Sequence, residues 1–209
     1  MVILTELKQT GPETFLARFD NGETIRTTLN VVTELALFSG KECSEETLEA
    51  IRDASSLSLC KQRAMRLIGL RPMSVRELKD RLKEKGETEE NAEAAAQWLL
   101  GLRLLNDEDY AGMLVRHYAA KGYGPGRIRN ELFRRGISRE LWDDALDQLP
   151  EQDDQIDRLL RKKLRSADPD RDELRRAADF LYRRGFRREE ISAAIERYRQ
   201  ECEDDSYGI

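Results

Sequence analysis

Histidine and cysteine are scarce in this chain: one histidine, His117, and three cysteines among 209 residues. Cys43, Cys60 and Cys202 are odd in number, lie far apart and form no CxxC pair, which leaves neither a disulfide framework nor a zinc site. The expectation is three reduced thiols in a cytoplasmic protein. Aromatic residues make up 7%, too few for a large β-sandwich core. No run approaches the about 18 apolar residues that a membrane span requires. The opening MVILTELKQTG has neither the basic start nor the long apolar stretch of a signal peptide. With no coherent nucleophile, base or metal set, the chain reads as a non-enzyme without cofactor.

Charge is what the chain has in excess. Charged residues are 37% and hydrophobic ones 39%, apolar-poor for a single compact globule. That balance suits a thin structure of small helical units with slim cores. The net charge of −5 is unevenly spread. Residues 1–59 hold five basic and ten acidic side chains, whereas residues 60–200 hold 31 basic and 27 acidic, a net of +4. The last nine residues add four acids. An acidic head and tip thus flank an arginine-rich body, a distribution compatible with docking beside a nucleoprotein.

Val2–Leu7 and Thr14–Phe19 alternate apolar and polar residues, as strands do. Asp20-Asn21-Gly22 and then Glu23–Thr27 follow, a strong hairpin signal because Asn and Gly tolerate positive φ. Residues 1–28 are therefore read as a small antiparallel β element. Val31–Phe38 reads as a short helix ended by Ser39-Gly40, and Ser44 as the cap of a helix to about Ala54.

From Leu57 on, the pattern is helical and repeats three times. Leu78-x-x-x-Leu82-x-x-x-Gly86 is matched by Ile128-x-x-x-Leu132-x-x-x-Gly136 and by Ala177-x-x-x-Leu181-x-x-x-Gly185. The expected helices are Leu57–Leu70, Val75–Lys85 and Glu89–Leu102; Glu108–Ala120, Gly126–Arg135 and Arg139–Gln148; and Gln152–Ser166, Arg171–Arg184 and Arg188–Gln200. Ser74-x-x-Glu77 is a capping box, Asp107, Ser138 and Asp168-Pro169-Asp170 are further start signals, and each repeat's glycine ends a helix in the left-handed region. The expected fold is mainly all-α: tandem three-helix repeats in an elongated curved array, with a small N-terminal β-hairpin element. Its parts are an extension over 1–56, repeats over 57–105, 106–150 and 151–200, and an acidic tail over 201–209.

The string Arg71-Pro72-Met73-Ser74-Val75-Arg76-Glu77-Leu78-Lys79-Asp80-Arg81-Leu82, closing at Gly86, resembles the first repeat of the RecX family. Leu105-Asn106-Asp107-Glu108-Asp109-Tyr110-Ala111 resembles the Leu-Asp-Asp-x-x-Phe-Ala segment that opens that family's second repeat. It is followed by Gly124-x-x-Arg127-Ile128-x-x-Glu131-Leu132-x-x-x-Gly136-Ile137. The third repeat, Gln152 to Arg199, matches more weakly, and the resemblance covers residues 60–200. It implies a monomeric cytoplasmic regulator that binds RecA and the RecA–ssDNA filament. Such a protein lodges in the filament groove and inhibits ATP hydrolysis, strand exchange and co-protease activity, and so bears on DNA repair and the SOS response. Weak direct DNA binding is a further possibility, the family implies no catalytic residues, and no membrane partner is expected.

The candidate contact residues are arginine-rich. Arg158, Arg161, Lys162, Lys163 and Arg165 share one helix; Arg175, Arg176, Arg183, Arg184, Arg187 and Arg188 lie in and after the next. Guanidinium forks suit DNA phosphates or an acidic RecA surface. The alternative is a solvated face salt-bridged to Asp157, Asp172 and Glu173. Arg127 and Arg129 are candidate groove contacts in the second repeat, while Arg134 and Arg135 suit a helix C-terminus. Tyr182, Phe186 and Tyr198 are expected to pack, which argues against a stacking platform for single strands. Trp98 and Trp142 are expected in cores and His117 at the surface. Asn106-Asp107-Glu108-Asp109 reads as a helix start, and Gly122-x-Gly124-x-Gly126 as a flexible turn rather than a phosphate loop. A helix-turn-helix transcriptional regulator is the alternative function, because tri-helical units resemble such modules.

Overall fold

The computed structural model describes residues 1–149, 153–164 and 169–207, the last five by backbone alone. The chain divides into two compact units, Met1–Leu105 and Asn106–Ile209.

The first unit begins with strands β1 (Val2–Gln9), β2 (Thr14–Phe19) and β3 (Thr24–Thr28), followed by helix α1 (Leu29–Glu34) and strand β4 (Glu42–Cys43). The sheet order is β3-β2-β1-β4, each pair antiparallel. The expected hairpin is β2–β3. At its turn Asn21 Oδ1 accepts from the Glu23 N–H at 2.9 Å, and of the turn residues only Gly22 has a positive φ, +86°. The sheet exceeds that hairpin because β4 pairs Val2 with Cys43, and a two-residue strand is too short to show a period. Helix α1 starts two residues earlier than expected, where Thr28 caps it. It ends before Leu35, and Ala36, at φ +46°, breaks the backbone ahead of Ser39-Gly40.

Helix α2 (Glu45–Leu70) corrects the expectation of two helices parting near Ala54: it runs unbroken for 26 residues. The serines of this stretch are used for packing. Ser55 Oγ donates to Thr27 Oγ1 at 2.8 Å, and Ser58 and Thr28 share a hydrogen bond of 2.6 Å, so small hydroxyls seat the helix on β3. The first half of α2 places Leu48 and Ile51 in a core with Leu4, Phe19 and Val31. The second half places Cys60, Ala64 and Leu67 in another core with α3 (Val75–Glu84) and α4 (Glu89–Gly101). Ser74 caps α3 as expected, accepting from the Glu77 N–H at 3.0 Å. Arg71 and Arg81 both bind the Glu77 carboxylate, and Lys79 binds Glu93 at 2.5 Å. Trp98 flanks this core half-buried rather than filling it.

The second unit holds α5 (Asp107–Ala120), α6 (Pro125–Arg134), a 3₁₀ turn (Arg139–Leu141), α7 (Trp142–Leu146), α8 (Asp153–Lys163), α9 (Arg171–Arg183) and α10 (Arg188–Tyr207). Asn106, not Asp107, caps α5, its Oδ1 accepting from the Glu108 N–H at 2.9 Å. The expected helix Arg139–Gln148 is a 3₁₀ turn and a five-residue helix, and Ser138 makes no side-chain cap bond. Trp142 flanks the second-repeat core, its indole N–H donating to the Ile137 carbonyl at 3.1 Å. Asp170 and Glu173 form a full capping box on α9, whereas Asp168 lies outside the described residues. Helix α10 continues past Gln200 into the acidic segment. Gly86, Gly136 and Gly185 have φ of +87°, +74° and +90°, and Ile137 and Phe186 pack back into their cores.

The Gly122–Gly126 segment joins repeats two and three. The Gly124 N–H donates to the Arg184 carbonyl at 2.8 Å and the Gly126 N–H to the Gly185 carbonyl at 2.9 Å. A Cβ on Gly124 would lie 2.8 Å from the Gly185 backbone, and one on Gly185 would lie 2.2 Å from the Arg127 nitrogen. The glycines therefore permit backbone-to-backbone contact that any side chain would block. Arg184 completes the joint. Its Nη1 donates to the Lys121 and Gly122 carbonyls at 2.9 and 3.1 Å, and its guanidinium lies over Phe180 and Tyr123 at 4.7 and 5.3 Å. The Lys121 and Gly122 carbonyls stand at the C-terminal end of α5, where a cation is favoured. The segment read as a flexible turn is thus a fixed inter-repeat contact.

Candidate functional site

The candidate arginines divide by what already holds them. On α6, the Arg127 guanidinium is 3.0 Å from Glu131 Oε1 and Arg134 is 3.6 Å from the same oxygen. Glu131 is only 6% exposed and also accepts from the Tyr118 hydroxyl at 3.3 Å. Burial of that carboxylate demands cationic partners, so Arg127 and Arg134 are oriented by the fold. Among the described residues Arg129 makes a long contact, 3.8 Å, with the exposed Asp143. Glu131 was not singled out from the sequence, although its spacing of four from Arg127 and three from Arg134 is the helical ion-pair pattern.

On α8, Arg161 is bound by Glu201 of α10 at 2.6 Å, which raises its pKa through the hydrogen bond and then the charge. Arg158 is exposed and borders a groove of about 430 Å³ together with Arg116, Gln148, Asp154 and Gln155. Lys162 is exposed and has no carboxylate partner among the described residues. Lys163 lies over Phe180 at 5.5 Å, and Arg165 lies outside the described residues.

On α9, Arg175 makes a 3.5 Å contact with Asp172, and Arg176 donates to the Asp172 carbonyl at 3.2 Å. Arg183, and Arg187 in the turn that follows, are exposed, with no carboxylate on their side chains among the described residues. The alternative reading, salt bridges to Asp157, Asp172 and Glu173, holds for Asp172 alone. Asp157 is taken by Arg197 at 2.7 Å, and Glu173 caps its own helix. Among the described residues Arg158, Lys162, Arg183 and Arg187 therefore have no carboxylate partner and remain open to an external anion.

Two of the three aromatics expected to pack do so. Phe186 is buried and Tyr198 packs on the third-repeat core, but Tyr182 is 58% exposed, with the Arg188 guanidinium 5.9 Å from its ring centre. Phe133 is 56% exposed on α6. Tyr182 is thus a correction to the expected packing, and Phe133 is a surface aromatic that the sequence reading did not single out. His117 is exposed, edge-on to Tyr118. Among the described residues no three His, Cys, Asp or Glu side chains group as metal ligands, and no helix is long and apolar enough to cross a membrane.

Comparison with known proteins places this arrangement. The models for the first, second and third three-helix domains of RecX match residues 60–99, 106–146 and 151–195. The chain is 34% identical over 145 residues to the regulatory protein RecX of Trichlorobacter lovleyi, covering 66% of this chain and 94% of that protein. It is 31% identical over 167 residues to the regulatory protein RecX of Halorhodospira halophila, covering 77% and 95%. A crystal structure of a regulatory protein RecX superimposes with a TM-score of 0.75 over 94% of this chain and all of that one; at 24% identity this likeness speaks to the fold alone.

Proposed function

The chain belongs to the RecX family, and we propose that it binds RecA and its filament on single-stranded DNA, restraining ATP hydrolysis, strand exchange and co-protease activity. It acts by contact, as a cytoplasmic monomer, and carries out no reaction of its own. The observation that most supports this reading is that four of the candidate side chains, Arg158, Lys162, Arg183 and Arg187, are exposed with no carboxylate partner among the described residues. In a chain of net charge −5, cations that the fold does not neutralise suit a specific anionic partner better than general attraction to nucleic acid. Several weak contacts on linked repeats multiply through effective concentration. Arg129, Arg175 and Arg176, held only by exposed or backbone partners, can join them, whereas Arg127 and Arg161 contribute after exchanging an existing ion pair.

The test is RecA's ATPase on single-stranded DNA with added protein. Inhibition at substoichiometric ratios is expected, and reversing charge at Arg158, Lys162, Arg183 and Arg187 together should abolish it. No effect of the unaltered protein at excess would sink the reading. Footprinting of one defined duplex sequence would instead support a helix-turn-helix transcriptional regulator.

A further inference from the structure

The string Leu132-Phe133-Arg134-Arg135-Gly136-Ile137 returns as Leu181-Tyr182-Arg183-Arg184-Gly185-Phe186. In both copies the leucine and the residue after glycine are buried, which turns the aromatic outward: Phe133 is 56% and Tyr182 58% exposed. The fold does not require a ring there. The first repeat has Lys83 at the matching place, held by Glu89 at 2.8 Å and Asp80 at 3.7 Å. An aromatic face kept in water twice, at one repeat position, forgoes the stabilisation that burial would bring.

The stretches of chain that carry the two rings are rich in arginine. Residues 125–136 carry four arginines and one acid, Glu131, which is already engaged by Arg127 and Arg134. Residues 175–188 carry six arginines and one acid, Asp179. Arg188 stands against the Tyr182 ring, an arrangement to which another planar group can add by stacking. An acidic protein surface would satisfy the guanidiniums but gives no reason for the rings. A ligand that alternates planar apolar groups with phosphates along its length accounts for both, and only an unpaired strand presents its bases for stacking.

We propose that Phe133 and Tyr182 each stack on an unpaired nucleobase of single-stranded DNA while the neighbouring arginines meet its phosphates. This deepens the function proposed above and rests on it only for bringing a single strand within reach.

The test uses the full chain without RecA. Fluorescence anisotropy compares a labelled oligothymidylate with an abasic strand of equal length and charge. The unaltered protein should prefer the base-bearing strand. Phe133→Ala with Tyr182→Ala should weaken that binding about tenfold per ring, the factor that about 1.4 kcal/mol of stacking carries, and leave the abasic strand unaffected. Phe133→Tyr with Tyr182→Phe should retain the preference. Equal binding of the two strands, equal loss on both, or no binding to either would overturn the proposal. Co-sedimentation with RecA filaments on single-stranded DNA separates the two ideas. If the unaltered protein pellets with filaments but shows no base preference, the rings meet protein and only the stacking fails. If it does not pellet at all, the regulator reading fails by itself.

Discussion

Replacing Gly185 by alanine should destabilise the second unit more than the same change at Gly86 destabilises the first. The two glycines share a backbone conformation, φ +90° and +87°, and each ends the middle helix of its repeat. A Cβ in the left-handed region costs about 1–2 kcal/mol at either site. At Gly86 nothing lies within 4 Å of the new atom, so that strain is the whole expected effect. At Gly185 the Cβ would sit 2.2 Å from the Arg127 nitrogen and 2.7 Å from its Cβ, so the Gly122–Gly126 segment must draw away. That movement opens the two backbone hydrogen bonds to Gly124 and Gly126, each contributing about 0.5–1.5 kcal/mol net. Gly185→Ala should therefore cost about 2–5 kcal/mol against about 1–2 kcal/mol for Gly86→Ala. Each unit contains one tryptophan, so urea unfolding followed through Trp142 in a Trp98→Phe background reports the second, and through Trp98 in a Trp142→Phe background the first. Equal costs at the two glycines would show that the inter-repeat backbone contact contributes nothing, and the account of the joint would be wrong.

Glu131→Gln should lower the second unit's stability by about 1 kcal/mol, because it removes two ion pairs whose arginines are largely solvated. It should also raise the affinity for polyanions by freeing Arg127 and Arg134, measurable by heparin retention; unchanged retention would show those arginines point away from ligand. Acid should weaken the first unit. Arg52, Arg71 and Lys79 hold the Glu23, Glu77 and Glu93 carboxyls below their ordinary range, chiefly through side-chain hydrogen bonds. Folded values below unfolded ones mean stability that is complete above about pH 4.3 and is lost as pH falls through the lowered values. Trp98 fluorescence against pH should show the loss below about pH 4, and Glu77→Gln should reduce its amplitude. Burial pushes the Cys60 thiol up to about 11, with Glu87 adding to the rise, and Cys43 is buried too. A thiol reagent near neutral pH should then label only the half-buried Cys202 in the native protein and all three cysteines in denaturant. Rapid native labelling of Cys60 would contradict its placement in the first-repeat core.

What could be read from the sequence is what short spacing controls. Leu78 and Leu82, Ile128 and Leu132, and Ala177 and Leu181 mark the buried faces of the middle helices, and the glycine four residues after each pair marks the stop. Local rules misled where a residue serves something distant. The expected boundary between Ala54 and Leu57 is absent: Ser55 hydrogen-bonds Thr27, 28 residues away, and the helix passes through. Gly122, Gly124 and Gly126 look like slack, yet their partners are Arg184 and Gly185 in the next repeat. Tyr182 looks like core because it lies next to Leu181, but adjacent residues on a helix are about 100° apart, and only one of the two can face inward.

The same division governs the candidate site. Whether an arginine is available to a partner depends on which carboxylate already holds it. Arg175 with Asp172 and Arg127 with Glu131 are paired at spacings of three and four, which a helical pattern displays. Arg161 with Glu201 and Arg197 with Asp157 are paired across 40 residues, which it does not. Asp157, one turn from Arg161 along α8, is the nearest carboxylate in the sequence pattern, yet Arg197 occupies it, and Glu201 on α10 takes Arg161 instead. A charge run therefore overstates a binding surface until the long-range pairs are subtracted. Among the described residues the subtraction leaves, of the candidates, Arg158, Lys162, Arg183 and Arg187 exposed and unpaired, and it is their reversal, rather than that of Arg127 or Arg161, that should weaken partner binding without first breaking an internal ion pair.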